Sequence, residues 1–138
     1  MRFENFIKGG DVRKASRDNA LIKSLVQTAK NDLEFLDDLE INQKSARKIM
    51  VSYYDVLRSI LEAISSLEEY KIYSHEAFTF FLKKIGESVL AIKFDRFRKI
   101  RNSINYYGKE ISIEETKENV NEIKEIIDIL TKKYLDKK

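Results

Sequence analysis

The chain has 138 residues, no proline and only four glycines, so very little in it obliges a helix to stop. Along most of its length apolar side chains recur three and four positions apart, the spacing that gathers them on one face of an α-helix. Such faces are stable only when packed against one another, and a set of stacked amphipathic helices is what this sequence can build.

The stripes mark out the helices. The first is predicted from about Ser16 to Leu39, with Leu21, Leu25, Ala29, Leu33 and Leu36 on one face. The second runs from Gln43 to Tyr70, carries Ala46, Met50, Tyr53, Leu57, Ile60, Ile64 and Leu67, and has Asn42 as its N-cap. The third starts after Ser74 and continues through Phe78, Phe81, Leu82, Ile85, Val89, Ile92, Phe97, Ile100, Ile104 and Tyr107 until Gly108 closes it. The fourth opens on Ser112-Ile113-Glu114-Glu115, a capping box, and its stripe is Thr116, Val120, Ile123, Ile127, Leu130 and Tyr134. Short connections between four such helices predict an all-α fold, an antiparallel up-down four-helix bundle over residues 16–138 preceded by an N-terminal arm over residues 1–15. The third helix, at roughly 50 Å, is longer than its neighbours. It is expected to bend or break, at Gly86 or near Lys93 to Asp95, where its stripe slips phase.

Composition removes several kinds of chemistry. Without cysteine there is no disulfide or thiolate, and a single histidine cannot make a multi-histidine metal site, so neither a metal nor a cofactor is expected. Met1 to Gly10 is too polar for a signal peptide, and no apolar stretch approaches the roughly 18 residues of a membrane span. A cytoplasmic protein that does not enter membranes is the expectation.

The net charge of +3 is small, but it is unevenly placed: Lys93, Arg96, Arg98, Lys99 and Arg101 face a single Asp95. Residues 98 to 108, Arg-Lys-Ile-Arg-Asn-Ser-Ile-Asn-Tyr-Tyr-Gly, combine cations, carboxamides and phenols at a helix end. Antiparallel pairing of the second and third helices would bring Lys44, Arg47 and Lys48 toward Arg98, Arg101 and Lys109, forming one phosphate-binding end. Either these cations are individually solvated, or together they hold an anion; concentrated like charge favours the second reading. Arg101 offers a planar fork for phosphate, Asn102 and Asn105 can donate and accept, and Tyr106 can stack on a base. Alternatively the asparagines cap backbone groups and Tyr106 covers the core, to which Ile100, Ile104 and Tyr107 point. Tyr53, Tyr54, Phe80 and Phe81 exceed what one stripe per helix buries, which points to a homodimer.

The helical layout and the segment Arg101-Asn102-Ser103-Ile104-Asn105-Tyr106 resemble the HEPN superfamily, whose signature is Arg-x4-His with a polar residue after the arginine. Asp11-Val12-Arg13-Lys14, Tyr54-Asp55-Val56-Leu57-Arg58, Tyr73-Ser74-His75-Glu76-Ala77 and Asn105-Tyr106-Tyr107-Gly108 look like its archaeal-type branch. The resemblance implies an all-α homodimer whose two motifs face one cleft. It also implies RNA as ligand, metal-independent ribonuclease activity in active members, and, for toxin members, a small nucleotidyltransferase antitoxin as partner. It maps Arg101 onto the family arginine and Asn102 onto its polar neighbour, with Tyr106 standing where the histidine belongs; with Asn105 these are the candidate catalytic residues.

Tyrosine, with a pKa near about 10, is a poor base where histidine is a good one. A chain like this is therefore expected to bind RNA or a nucleotide with weak or absent cleavage, the alternatives being an active ribonuclease toxin and a non-catalytic protein-interaction module. His75 opens the third helix, and a straight helix would leave it about 40 Å from Arg101. On that geometry it serves its own helix start, unless a sharp reversal or a second protomer brings it near. Asp55 and Arg58 form an intrahelical pair, or else Asp55 faces Arg101.

Overall fold

The computed structural model describes residues 1–136, so Lys137 and Lys138 at the end of the expected bundle lie outside the described residues. The chain is mostly helical. In order it forms α1 (Phe3–Lys8), β1 (Val12–Lys14), α2 (Asn19–Asp37), α3 (Ala46–Leu67), β2 (Tyr70–Ile72), α4 (His75–Lys84), α5 (Ser88–Tyr107) and α6 (Ile113–Leu130), ending in a π-helical turn over Thr131–Leu135. None of the described helices is long and apolar enough to cross a membrane.

α3 is the central element, packed against α2, α4, α5 and α6. Its expected stripe is buried from Ala46 to Ile64, and Tyr54, Val56 and Leu61 are buried beside it, so apolar or aromatic surface covers much of its circumference. A helix like that needs neighbours on several sides. Capping fixes where α2, α4 and α6 begin: Asp18 accepts from Leu21 N at 3.0 Å, Ser74 from Ala77 N at 3.2 Å and Ser112 from Glu115 N at 3.0 Å. Asn42 is not the N-cap of α3. Its side chain accepts from Lys44 N and Ser45 N at 2.9 and 3.0 Å, closing a tight turn of its own, and the helix starts at Ala46 after Ser45.

The expected N-terminal arm is built into the fold. Phe3, Phe6 and Val12 are buried, and β1 pairs antiparallel with β2 in the register Val12↔Ile72, Arg13↔Lys71, Lys14↔Tyr70. Phe6 packs on Phe80 at 5.2 Å between ring centroids, and Phe3 meets Tyr70 at 5.1 Å. The aromatic surplus that pointed to a second protomer is thus covered from within the chain. Tyr53, Tyr54 and Phe81 are buried, and Phe80 is half-buried under α1.

The long third helix is two helices. Gly86 sits at φ +87°, in the left-handed region that an α-helix cannot use, and the chain turns back there. Thr79 Oγ1 donates to Asp95 at 3.2 Å and Phe78 meets Phe94 at 6.3 Å, so α4 and α5 lie antiparallel as a hairpin. The turn also shifts the phase of the apolar face. Leu90, Ala91, Phe94 and Phe97 are buried, while Val89 and Ile92, expected in the stripe, are 66% and 69% exposed. α5 then runs unbroken past Lys93 to Asp95 and ends at Gly108, which is left-handed as expected at φ 63°.

Candidate functional site

Three elements meet at the middle of α3. The spacing of Tyr54, Asp55, Arg58 and Glu62 places them along one side of α3, and Asp95, Arg98, Arg101 and Asn102 recur on α5 at the same three- and four-residue intervals. The Gly86 hairpin delivers the first residue of α4, His75, between them. The distance expected from a straight helix is overturned: His75 lies within the influence of Arg98 and Arg101, because the sharp reversal, one of the two routes that could bring it there, is present.

Tyr54 is the centre of the cluster. It is fully buried, its ring stacks on His75 at 5.8 Å and on Phe94 at 5.5 Å, and its hydroxyl shares a hydrogen bond of 2.9 Å with His75 Nδ1. Burial pushes the Tyr54 phenol up, although Arg101, Arg58 and Arg98 pull the other way, so it stays a phenol. Burial also lowers His75 to about 4, assisted by the charges of Arg58, Arg101 and Arg98, so the imidazole is neutral at pH 7. Asp55 is raised by burial against the pull of Arg58 and Arg101.

The arginines differ in what already holds them. Arg98 is fixed by Nε and Nη2, at 3.0 and 2.8 Å, to Oδ1 of Asp95, whose Oδ2 Lys99 approaches at 3.1 Å. Burial alone would raise Asp95, but these cations overcome it and its pKa is lowered. Arg58 reaches Glu62 at 3.4 Å rather than Asp55, and Glu62 is shared with Lys71 of β2 at 3.4 Å. Asp55 instead lines a groove of about 270 Å³ between α2 and α3, with Asp32, Phe35 and Ser52.

Arg101 forms no ion pair among the described residues. Its guanidinium lies 6.0 Å from the Tyr54 ring centroid and 5.6 Å from that of Tyr106. Nη1 donates to Asn102 at 3.2 Å and, weakly, to the Tyr106 hydroxyl at 3.5 Å, while Nε is buried without a partner. A buried donor left unpaired costs about 1–3 kcal/mol, more when charged. Arg101 is thus a cation still lacking an anion.

The remaining expected site residues are placed differently. Asn105 and Lys109 are exposed, and Tyr106 is 69% exposed beside Arg101. Tyr107, expected in the core, is 78% exposed, because the helix ends there and the chain leaves through Gly108. Lys44, Arg47 and Lys48 are exposed at the start of α3, and Arg47 shares a groove of about 400 Å³ with Glu110 and Glu114. Arg47 lies roughly 16 Å along the helix axis from Arg58. The cationic centre therefore sits on the flank of α3, while the Arg47 end shares its groove with two carboxylates. Tyr54 and Arg58 were missed as site residues, although their spacing of four beside an expected basic helix was the available signal. Among the described residues no group of three or more His, Cys, Asp or Glu side chains is placed to hold a metal ion.

Scans of family models, of curated proteins and of solved structures return no match to this chain.

Proposed function

We propose that this protein binds RNA or a nucleotide, seating a phosphate among Arg58, Arg98 and Arg101, and that any ribonuclease activity is weak. On this reading α2, α3, α5 and α6 are the four long helices of a HEPN-type bundle. The chain works in the cytoplasm as a homodimer, in a toxin–antitoxin or other defence system, with a nucleotidyltransferase-type antitoxin as its partner.

One observation carries the reading: Arg101 is a half-buried guanidinium with no carboxylate partner among the described residues, within cation–π reach of two tyrosine rings, with an unpartnered Nε. A phosphate oxygen would satisfy that donor and answer the charge, and Tyr106, exposed on the rim, offers a face to a base. Cleavage is expected to be weak because Tyr106 stands at the family's histidine position and a phenol does not take the place of an imidazole in proton transfer.

Fluorescence anisotropy with a labelled single-stranded RNA tests the assignment. One seated phosphate gives a slope of roughly −0.7 in log K against log salt, and Arg101→Ala should weaken binding and flatten that slope. Binding that ignores salt, or that Arg101→Ala leaves unchanged, would contradict it. A second reading, a working metal-independent ribonuclease, is favoured by the position of His75.

A further inference from the structure

We propose that His75 is the proton acceptor for RNA cleavage at this site, taking the 2′-hydroxyl proton onto Nε2 while Tyr54 holds Nδ1. This rests on the phosphate-binding reading above and adds the residue that would turn binding into turnover.

His75 is the chain's one histidine, and its place is set by the fold rather than by the Arg-x4-His spacing. Ser74 caps α4, which fixes the backbone of the next residue, and the α4–α5 hairpin puts that residue beside Arg98. The imidazole is sandwiched against Tyr54, itself backed by Phe94, so the ring has little freedom to turn. Nδ1 is engaged by the Tyr54 hydroxyl at 2.9 Å. Nε2 has no hydrogen-bond partner among the described residues, and the residue is half-buried rather than enclosed.

Charge selects the protonation state that a base needs. The groups acting on the imidazole are Tyr54 and Arg58 from α3 and Arg98 and Arg101 from α5. Desolvation and the guanidiniums keep it neutral. Proton transfer to Nε2 requires the tautomer in which Nδ1–H donates to Tyr54 Oη, which leaves the lone pair on Nε2. A phosphodiester held by the arginines offsets their charge and so raises the imidazole's proton affinity as the substrate arrives.

In the step itself the 2′-oxygen loses its proton to Nε2 and forms a bond to phosphorus. The bond from phosphorus to the 5′-oxygen breaks, and the departing oxygen takes a proton from water. The products are a 2′,3′-cyclic phosphate and a 5′-hydroxyl, and the imidazolium returns its proton to the hydroxide left behind. Arg101 stabilises charge on the pentavalent phosphorus. With no second histidine as the acid, turnover is slow.

The test uses the full-length protein with a single-stranded RNA labelled at its 5′ end, alongside an all-DNA copy of the same sequence. Slow cleavage of the RNA alone, leaving cyclic phosphate ends, is expected. His75→Gln should reduce it by at least about 10²-fold, the usual loss of a positioned base, with RNA affinity retained. Tyr54 is a positioning residue: Tyr54→Phe should slow cleavage and change the tautomer of the single imidazole in its ¹⁵N spectrum, where the wild type carries the proton on Nδ1. Cleavage surviving in His75→Gln, a proton found on Nε2 in the neutral wild type, or RNA bound but never cut would each overturn the proposal. The last outcome leaves the binding reading standing, whereas failure to bind RNA removes both. The ¹⁵N spectrum is read on the unaltered protein, so a variant that misfolds does not block the test.

Discussion

Replacing Gly86 with alanine reports directly on whether α4 and α5 form a hairpin or one continuous helix, because the sign of the effect differs. In the hairpin Gly86 has φ +87°, and a Cβ built there meets nothing within 4 Å. The cost is therefore backbone strain without a clash. Left-handed geometry costs an L-residue about 1–2 kcal/mol, and alanine recovers about 0.4–1 kcal/mol through the stiffer unfolded chain, leaving a net loss of roughly 0.5–1.5 kcal/mol. Within an uninterrupted helix the same change would stabilise by about 1 kcal/mol. Urea unfolding followed by circular dichroism resolves the two. With m of roughly 1.5 kcal/mol/M, the midpoint should fall by about 0.3–1 M with m unchanged. Asparagine, which tolerates left-handed backbone, should lose less than alanine. A midpoint that rises in Gly86→Ala would refute the hairpin, and with it the placement of His75 beside Arg101.

Protonation of His75 opposes folding. Burial, then Arg58, Arg101 and Arg98, hold its pKa at about 4, below the unfolded value of about 6.5. The unfolded chain therefore binds the proton more readily: this contribution to stability is complete above about pH 6.5 and is lost as pH falls toward 4. Between pH 7 and 5 the urea midpoint of the wild type should fall further than that of His75→Gln; parallel curves would count against the buried, neutral imidazole. Phe94→Ala empties a fully buried ring position behind Tyr54 and should cost about 3–5 kcal/mol, with a much lower melting temperature. A loss under about 1 kcal/mol would mean that the ring is not packed as described. Arg98→Ala removes both hydrogen bonds to Asp95 Oδ1 and should cost about 1–3 kcal/mol by urea unfolding, since Asp95 keeps only Lys99 and Thr79. Unchanged stability would show that this pair does not hold α5 in place.

The parts of the fold that could be read in advance are those where one local rule acts alone. The α3 and α6 stripes, the Ser112 cap and the left-handed Gly108 follow from helical spacing and backbone geometry. β1 and β2 were invisible because three-residue strands carry no period, and each depends on a partner nearly sixty positions away. Gly86 could be read as a breaker, but not as a reversal. The apolar spacing runs through it in phase, and only packing against α3 decides that Phe94 rather than Val89 turns inward. The candidate site was half legible for the same reason. Arg98, Arg101 and Asn102 lie close in sequence and could be grouped by helical spacing. Tyr54, Arg58 and His75 join them only through tertiary folding, and the expected cluster with Lys44, Arg47 and Lys48 overlooked Glu110 before α6 and Glu114 in its first turn.

A chain with one histidine makes the central claim measurable at one resonance. The imidazole of His75 is followed by NMR through a pH titration, free and with a saturating, uncleavable 2′-deoxy dinucleotide, in wild type and Arg101→Ala. Phosphate held among Arg58, Arg98 and Arg101 predicts an imidazole that titrates near 4 when free and higher when the dinucleotide is bound, the increase shrinking in Arg101→Ala. An imidazole that titrates near its ordinary value of about 6.5 and does not respond to the ligand would contradict the account.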